Sequence, residues 1–217
     1  MLRRAGLIGD IHCQVLRLEQ ALGLFRDQQV DTVLSVGDIA DGTGDLDITC
    51  QLLESAGVLA VAGNHDRWLL ASQNRELPEA TPEAAVTPRA RAYLAGLPKT
   101  RTFQSARGAV LLCHGLGDDD MACVRPDDYG YALESNRSLW ALVDAGTARF
   151  VINGHSHRAM LRTISGVTIV NAGTLHPKHR PMCAIADFDH GYVQIFDLNG
   201  PAVTLAERWT LDRSRPL

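Results

Sequence analysis

The sequence predicts an α/β layered domain, and two observations carry that prediction. Short apolar runs recur along the chain, each closed by Gly or His and a further polar residue, with helical patterns between them in the first third. That alternation is the signature of strands and helices packed in layers. The C-terminal part is strand-like with little helix between the runs, which predicts antiparallel strands completing a second sheet.

Taken in order, Leu7-Ile8 runs into Gly9-Asp10-Ile11-His12. Val15, Leu18, Leu22 and Phe25 follow at spacings of 3, 4 and 3, which places them on one helix face. Thr32 to Val36 ends at Gly37-Asp38, and Leu46 to Ala56 reads as a second helix stopped by Gly57. Val58 to Ala62 opens into Gly63-Asn64-His65-Asp66. Thr87 and Pro88 suit the cap and first turn of a third helix. Ala109 to Cys113 ends at His114-Gly115. Asn136 caps a fourth helix bearing Leu139, Leu142 and Val143, with Gly146 as its stop. Phe150 to Ile152 leads into Asn153-Gly154-His155-Ser156-His157. Each apolar run suits a buried strand that opens into a tight loop.

The remaining strand candidates are Val167 to Val170, Cys183 to Phe188, Tyr192 to Phe196 and Val203 to Glu207, with a hairpin turn at Asp189-His190-Gly191. The whole chain, 1–217, reads as one domain. Segments 67–101 and 116–135 are weakly patterned and follow polar motifs, so they are expected to be insertions on the substrate side.

Composition narrows the function. With 217 residues, 46% hydrophobic and 21% charged, the chain can bury a full core. The net charge of −4 and the lack of a basic run argue against a nucleic-acid surface. No apolar run has the length of a membrane span. Five widely spaced cysteines without a CxxC pair fit a reduced, cytoplasmic setting. Nothing in the chain specifies an oligomeric state.

The polar motifs offer Asp10, His12, Asp38, Asn64, His114, His155 and His157 as metal ligands. Two cations in one site sit about 3.5–4 Å apart and repel, so an anionic group must lie between them. A carboxylate can bridge where a neutral imidazole cannot, and Asp38 is the choice here. Asp10 and His12 would grip the first ion, and Asn64 and His114 the second. His155 and His157 share the Asp10–His12 spacing and could divide between the two. Two carboxylates leave net positive charge, which attracts a phosphate oxyanion and acidifies water. Mostly histidine ligation suits Mn, Fe, Zn, Co or Ni better than Ca. His65 is left to meet the substrate and protonate the leaving oxygen, with Asp66 as its orienting partner.

Other polar groups are assigned more plainly. Alternation turns Cys113 away from the site into the core. The Asp118–Asp120 run reads as a solvated loop, and Trp68 as packing. His176, Lys178, His179 and Arg180 concentrate positive-capable groups that could hold a distal phosphate.

In the order DxH, GD, GNHD, H and GHxH, the chain resembles the calcineurin-like metallophosphoesterase superfamily, in its small bacterial branch. The resemblance runs from Asp10 to about Arg180. It implies a four-layer sandwich of two mixed β-sheets flanked by α-helices. It implies one metal on Asp10, His12, Asp38 and His157, and another on Asp38, Asn64, His114 and His155, with His65 catalytic. Manganese is the first expectation for the pair of divalent ions. Asn171-Ala172-Gly173-Thr174 looks like the family's NPGS stretch, with Ala in place of Pro and Thr in place of Ser. Arg67, Asn171 and Arg180 are the candidate substrate contacts. Many small members carry Cys where this chain has His65, and keeping His favours a working enzyme. The implied activity is hydrolysis of a small phosphorylated substrate, a mono- or diester, by a metal-bridging hydroxide. Cleavage of a nucleotide or dinucleoside polyphosphate, a phosphoprotein phosphatase, and a non-catalytic protein-binding module on the same fold are the alternatives.

Overall fold

A computed structural model describes residues 1–211; the expected domain's last six residues, 212–217, lie outside them. Eleven strands form two sheets among these residues. The first contains β1 (Arg4–Ile8), β2 (Thr32–Ser35), β3 (Leu59–Ala60), β9 (Met182–Asp187), β10 (Tyr192–Asp197) and β11 (Thr204–Thr210), in the order β11-β10-β9-β1-β2-β3. The second contains β4 (Thr100–Ser105), β5 (Gly108–Cys113), β6 (Phe150–Asn153), β7 (Met160–Ile164) and β8 (Val167–Asn171), in the order β4-β5-β6-β8-β7. Both sheets are mixed. β1, β2 and β3 pair in parallel, as do β5, β6 and β8, while the other neighbours are antiparallel.

Three apolar layers glue this sandwich together. Between the sheets lie Ala5 and Leu7 of β1, Phe150 and Ile152 of β6, and Ala184 and Ala186 of β9. Residues of opposite parity face outwards, because side chains alternate along a strand. Cys183 and Ile185 therefore meet the helices α1 (Val15–Asp27), α2 (Leu46–Ser55) and α4 (Pro88–Ala95). Val151 meets α6 (Arg137–Ala145), which follows the short helix α5 (Tyr131–Glu134), on the far side of the second sheet, where Cys113 is also buried as expected. The result is the four-layer order helix, sheet, sheet, helix.

The caps read from the sequence do their work. Thr87 accepts the Ala90 amide at 3.0 Å, and Asn136 accepts the Leu139 amide at 3.0 Å. Gly146 takes the left-handed conformation (φ 58°) that ends α6.

One expectation fails. The C-terminal antiparallel strands β9, β10 and β11 extend the first sheet, outward from β1, and do not complete the second. Only β8 among those candidates joins the second sheet. Local patterning gives strand existence but not strand partners, and β4, which pairs with the expected strand β5 and edges the second sheet, is not among the runs read from the sequence. Segment 67–101 is also more ordered than expected. Besides the expected helix α4, it contains most of α3 (Asn64–Leu70) and a short 3-10 turn at Glu83–Ala85.

Candidate metal centre

All five polar motifs lie just beyond the C-terminal ends of strands. Asp10 follows β1, Asp38 follows β2 and Asn64 follows β3 in the first sheet, while His114 follows β5 and His155 and His157 follow β6 in the second. Ligand sites in α/β sheets gather at this end. The loops are tightly wound. His12, Asp38, Asp41, His155 and His157 all have positive φ, between 48° and 64°. Non-glycine residues there store backbone strain, on the order of 1 kcal/mol or more each, which surrounding contacts must hold. Glycine makes the crossing of the loops feasible. A Cβ on Gly63 would sit 2.2 Å from Asp38 Oδ1, and one on Gly9 would sit 1.8 Å from the Gly173 carbonyl oxygen.

These loops bring the seven predicted ligands into two overlapping groups. Asp10, His12, Asp38 and His157 offer ligand atoms all within 4.8 Å of one another, and so do Asp38, His114 and His155. Asn64 belongs with the second group, its Oδ1 lying 2.9 Å from both His114 Nε2 and His155 Nδ1. Asp38 is common to both groups.

Neighbouring groups fix which atoms face inward. The Nδ1 of His12 lies 2.8 Å from the Asp41 carbonyl, and the Nδ1 of His114 lies 2.8 Å from the Val36 carbonyl. Each Nδ1 therefore carries the hydrogen, and a neutral ring then leaves Nε2 bare for a ligand. The His155 and His65 amides donate to Asp10 Oδ1 and Asp38 Oδ1, both at 2.9 Å. Asp38 Oδ2 is left facing His114 Nε2 at 3.3 Å, and Asp10 Oδ1 also lies 3.7 Å from His157 Nε2.

The donor set fits cations. Asp10 is fully buried, and its Oδ2 has no hydrogen-bond partner. A buried carboxylate oxygen without a donor is costly, and a divalent ion is its natural complement. His12 Nε2 and His157 Nε2 face each other at 3.2 Å. Burial pushes His157 down to about 3 and also lowers His12, so both rings stay neutral and able to ligate. Burial would lower His114 as well, but Asp38 and Asp10 beside it hold it up at about 10. Burial raises Asp10, whereas Asp38, pushed up by burial, is pulled below the usual carboxylate range by His114, His12 and His65. The cluster thus draws positive charge inward.

The structure parts with the sequence reading at His65. Asn64 and His65 begin α3 and do not end a strand. Asp66 does not orient His65: its oxygens accept the Ile39, Ala40 and Gly63 amides at 2.9, 3.0 and 2.9 Å, a structural knot in which burial raises its carboxyl to about 6. The His65 partner is Asp41, whose Oδ2 lies 2.8 Å from His65 Nδ1. Sequence reasoning missed Asp41; its one signal was a carboxylate three residues after Asp38 in the same tight loop. Asp41 is gripped in turn by Arg75, at 2.8 and 2.9 Å, and by the Thr81 amide at 2.8 Å. Burial raises the Asp41 carboxyl, but His65 and Arg75 outweigh it and bring it down to about 2.

The expected substrate contacts are mostly engaged elsewhere. Asn171 is buried, donating to the Gly154 carbonyl at 2.7 Å and accepting the Gly173 amide at 2.9 Å, so it braces the His155 loop. Arg180 pairs with Asp197 at 2.8 Å. His176 and Lys178 both pair with Glu79, at 2.8 and 2.5 Å. His179 remains beside the site, its ring centroid 4.7 Å from that of His157. Arg67 forms a two-pronged pair with Asp120, at 2.6 and 2.9 Å.

A model of the calcineurin-like phosphoesterase superfamily domain matches residues 4–191. The chain belongs to that superfamily. Solved structures agree on the fold of this calcineurin-like phosphoesterase. A hypothetical protein from Pyrococcus horikoshii OT3 superposes with a TM-score of 0.72 at 13% identity, covering 91% of this chain and 88% of that one. The phosphoesterase Yfce from E. coli gives 0.59 at 14% identity, covering 96% and 100%. Vps29 from Entamoeba histolytica, complexed with Zn, gives 0.58 at 17% identity, covering 96% and 99%. No protein of curated function matches in sequence. No helix among the described residues is long and apolar enough to cross a membrane.

Proposed function

We propose that this calcineurin-like phosphoesterase is a hydrolase of phosphate mono- or diesters that works with two divalent transition-metal ions, manganese first among them. The observation that carries this reading is the buried, donorless Oδ2 of Asp10 beside a carboxylate, Asp38, common to two clusters of ligand atoms. The chain's family and its retained ligands support it further. When bound, the ions supply Lewis acidity at the phosphoryl oxygens and an acidified water as nucleophile.

The chain's own residues supply the rest. Asp10, His12, Asp38 and His157 would hold one ion, and Asp38, Asn64, His114 and His155 the other. Asp38 keeps negative charge between the two. His65, half-buried at the rim, delivers a proton to the departing oxygen through Nε2, since its Nδ1 faces Asp41. Asp41 orients that ring and favours its protonated form, and Arg75 and Thr81 hold Asp41 still. The five free cysteines support a reducing, cytoplasmic location.

The direct test starts with metal-stripped protein. Adding manganese should restore hydrolysis of nitrophenyl phosphate, of bis-nitrophenyl phosphate, or of both. Absence of turnover with Mn, Fe, Zn, Co and Ni alike would overturn the hydrolase reading in favour of a protein-binding module.

A further inference from the structure

A cavity of about 380 Å³ opens against the second cluster of ligands. It lies between α3, α4 and the loop after β5, and it shares His114 and Gly63 with the metal centre. Its size falls within the range of small-molecule sites, and its walls follow their usual chemistry. Leu70, Leu94 and Leu97 form an aliphatic wall, and Ala71 and Ala95 form exposed lips. The charged groups at its edge balance: Arg67 and Lys99 bring two positive charges, Asp118 and Asp120 two negative ones. Arg67 and Asp120 also neutralise each other directly through their paired contact.

Resting on the hydrolase reading above, we propose that this cavity receives the organic group of the ester, an uncharged and mainly apolar group of ring size, while the phosphorus sits at the metal centre. Three features point to that occupant. The cavity and the second group of ligand atoms share His114, which places an organic group bonded to the phosphoryl oxygen next to this wall. The aliphatic wall offers a sugar's hydroxyls no partners, and burying them there is costly. The balanced edge offers no net positive charge to a polyphosphate tail, whose charges need cationic partners. The substrate class is therefore the phosphoester of an apolar alcohol of ring size, either an aryl group or a nucleobase carried on its sugar outside the wall.

The test uses nitrophenyl phosphodiesters whose second group is methyl, phenyl or thymidine 5′, so that the leaving group stays constant. The wild-type, manganese-loaded protein should prefer phenyl over methyl in kcat/KM by roughly tenfold, the order expected for burying a ring's apolar surface. The thymidine ester separates the two sources. A rate near the phenyl ester places a nucleoside in the cavity, and a rate near the methyl ester restricts the class to aryl groups. Ala95→Trp, and Ala71→Trp from the opposite lip, fill the cavity and should collapse the phenyl-to-methyl ratio to within about twofold. Calorimetric titration with phenylphosphonate and methylphosphonate reads the same preference without turnover. If both variants retain the wild-type ratio, or if the wild type shows no ring preference in either assay, the cavity assignment is overturned. A ring preference in calorimetry without turnover of any ester would sink the hydrolase reading and leave the cavity assignment standing.

Discussion

Asp38→Asn is expected to lower kcat/KM by roughly a hundredfold or more and to reduce the metal bound per chain. The substitution keeps the side chain's shape and removes one negative charge from the point common to both ligand groups. Two cations about 4 Å apart repel at a cost that a neutral amide does not offset. Asp38 is buried, so no solvent shell replaces the lost charge. The effect should exceed that of losing one imidazole, because only Asp38 serves both positions. Steady-state kinetics with nitrophenyl phosphate, paired with atomic absorption on the dialysed protein, checks this. A variant within tenfold of wild type that still holds two ions would remove Asp38 from the shared role.

His65→Ala is expected to slow esters of poor leaving groups by about 10²–10⁴, and nitrophenyl esters far less, because nitrophenolate departs without a proton. Asp41→Asn should follow the same pattern with a smaller loss. Burial lowers the proton affinity of His65, but the Asp41 contact and the Asp38 charge outweigh it, and the net shift is upward. The sign follows. The proton donor is present below its pKa, so rates with poor leaving groups should fall as pH rises through it. Asp41→Asn removes the main upward pull and should move that fall to lower pH. Equal losses on both classes of ester, or an unchanged pH profile in Asp41→Asn, would leave His65 without the acid role.

Much of this centre is legible in the sequence, because its parts are local. Each candidate ligand sits within a few residues of a strand end, and strand ends announce themselves by an apolar run meeting glycine or histidine. Asp10, His12, Asp38, Asn64, His114, His155 and His157 all emerge that way, and the caps at Thr87 and Asn136 are equally local. What escaped depends on contacts across the chain. Asp41 meets His65 over a separation of 24 residues and Arg75 over 34, inside a segment with little periodicity. Asp66 adjoins His65 in sequence, yet α3 turns it into the protein beneath the first sheet's loops. Sheet membership failed for the same reason, since nothing within β9 records that its neighbour is β1.

The candidate ligands come from both sheets: Asp10, His12, Asp38 and Asn64 from loops of one, and His114, His155 and His157 from loops of the other. Ions bound at these groups would therefore act as rivets across the mouth of the sandwich, besides any chemistry they perform. A bound ion at a hundred times its dissociation constant adds about 2.7 kcal/mol of resistance to unfolding. The melting temperature should climb with free manganese in wild type and stay flat in Asp38→Asn; a flat wild-type curve would undo the idea. On that reading, the lifetime of this protein in the cell would be tied to the supply of its metal, since a chain without the ion would be easier to unfold and so to digest.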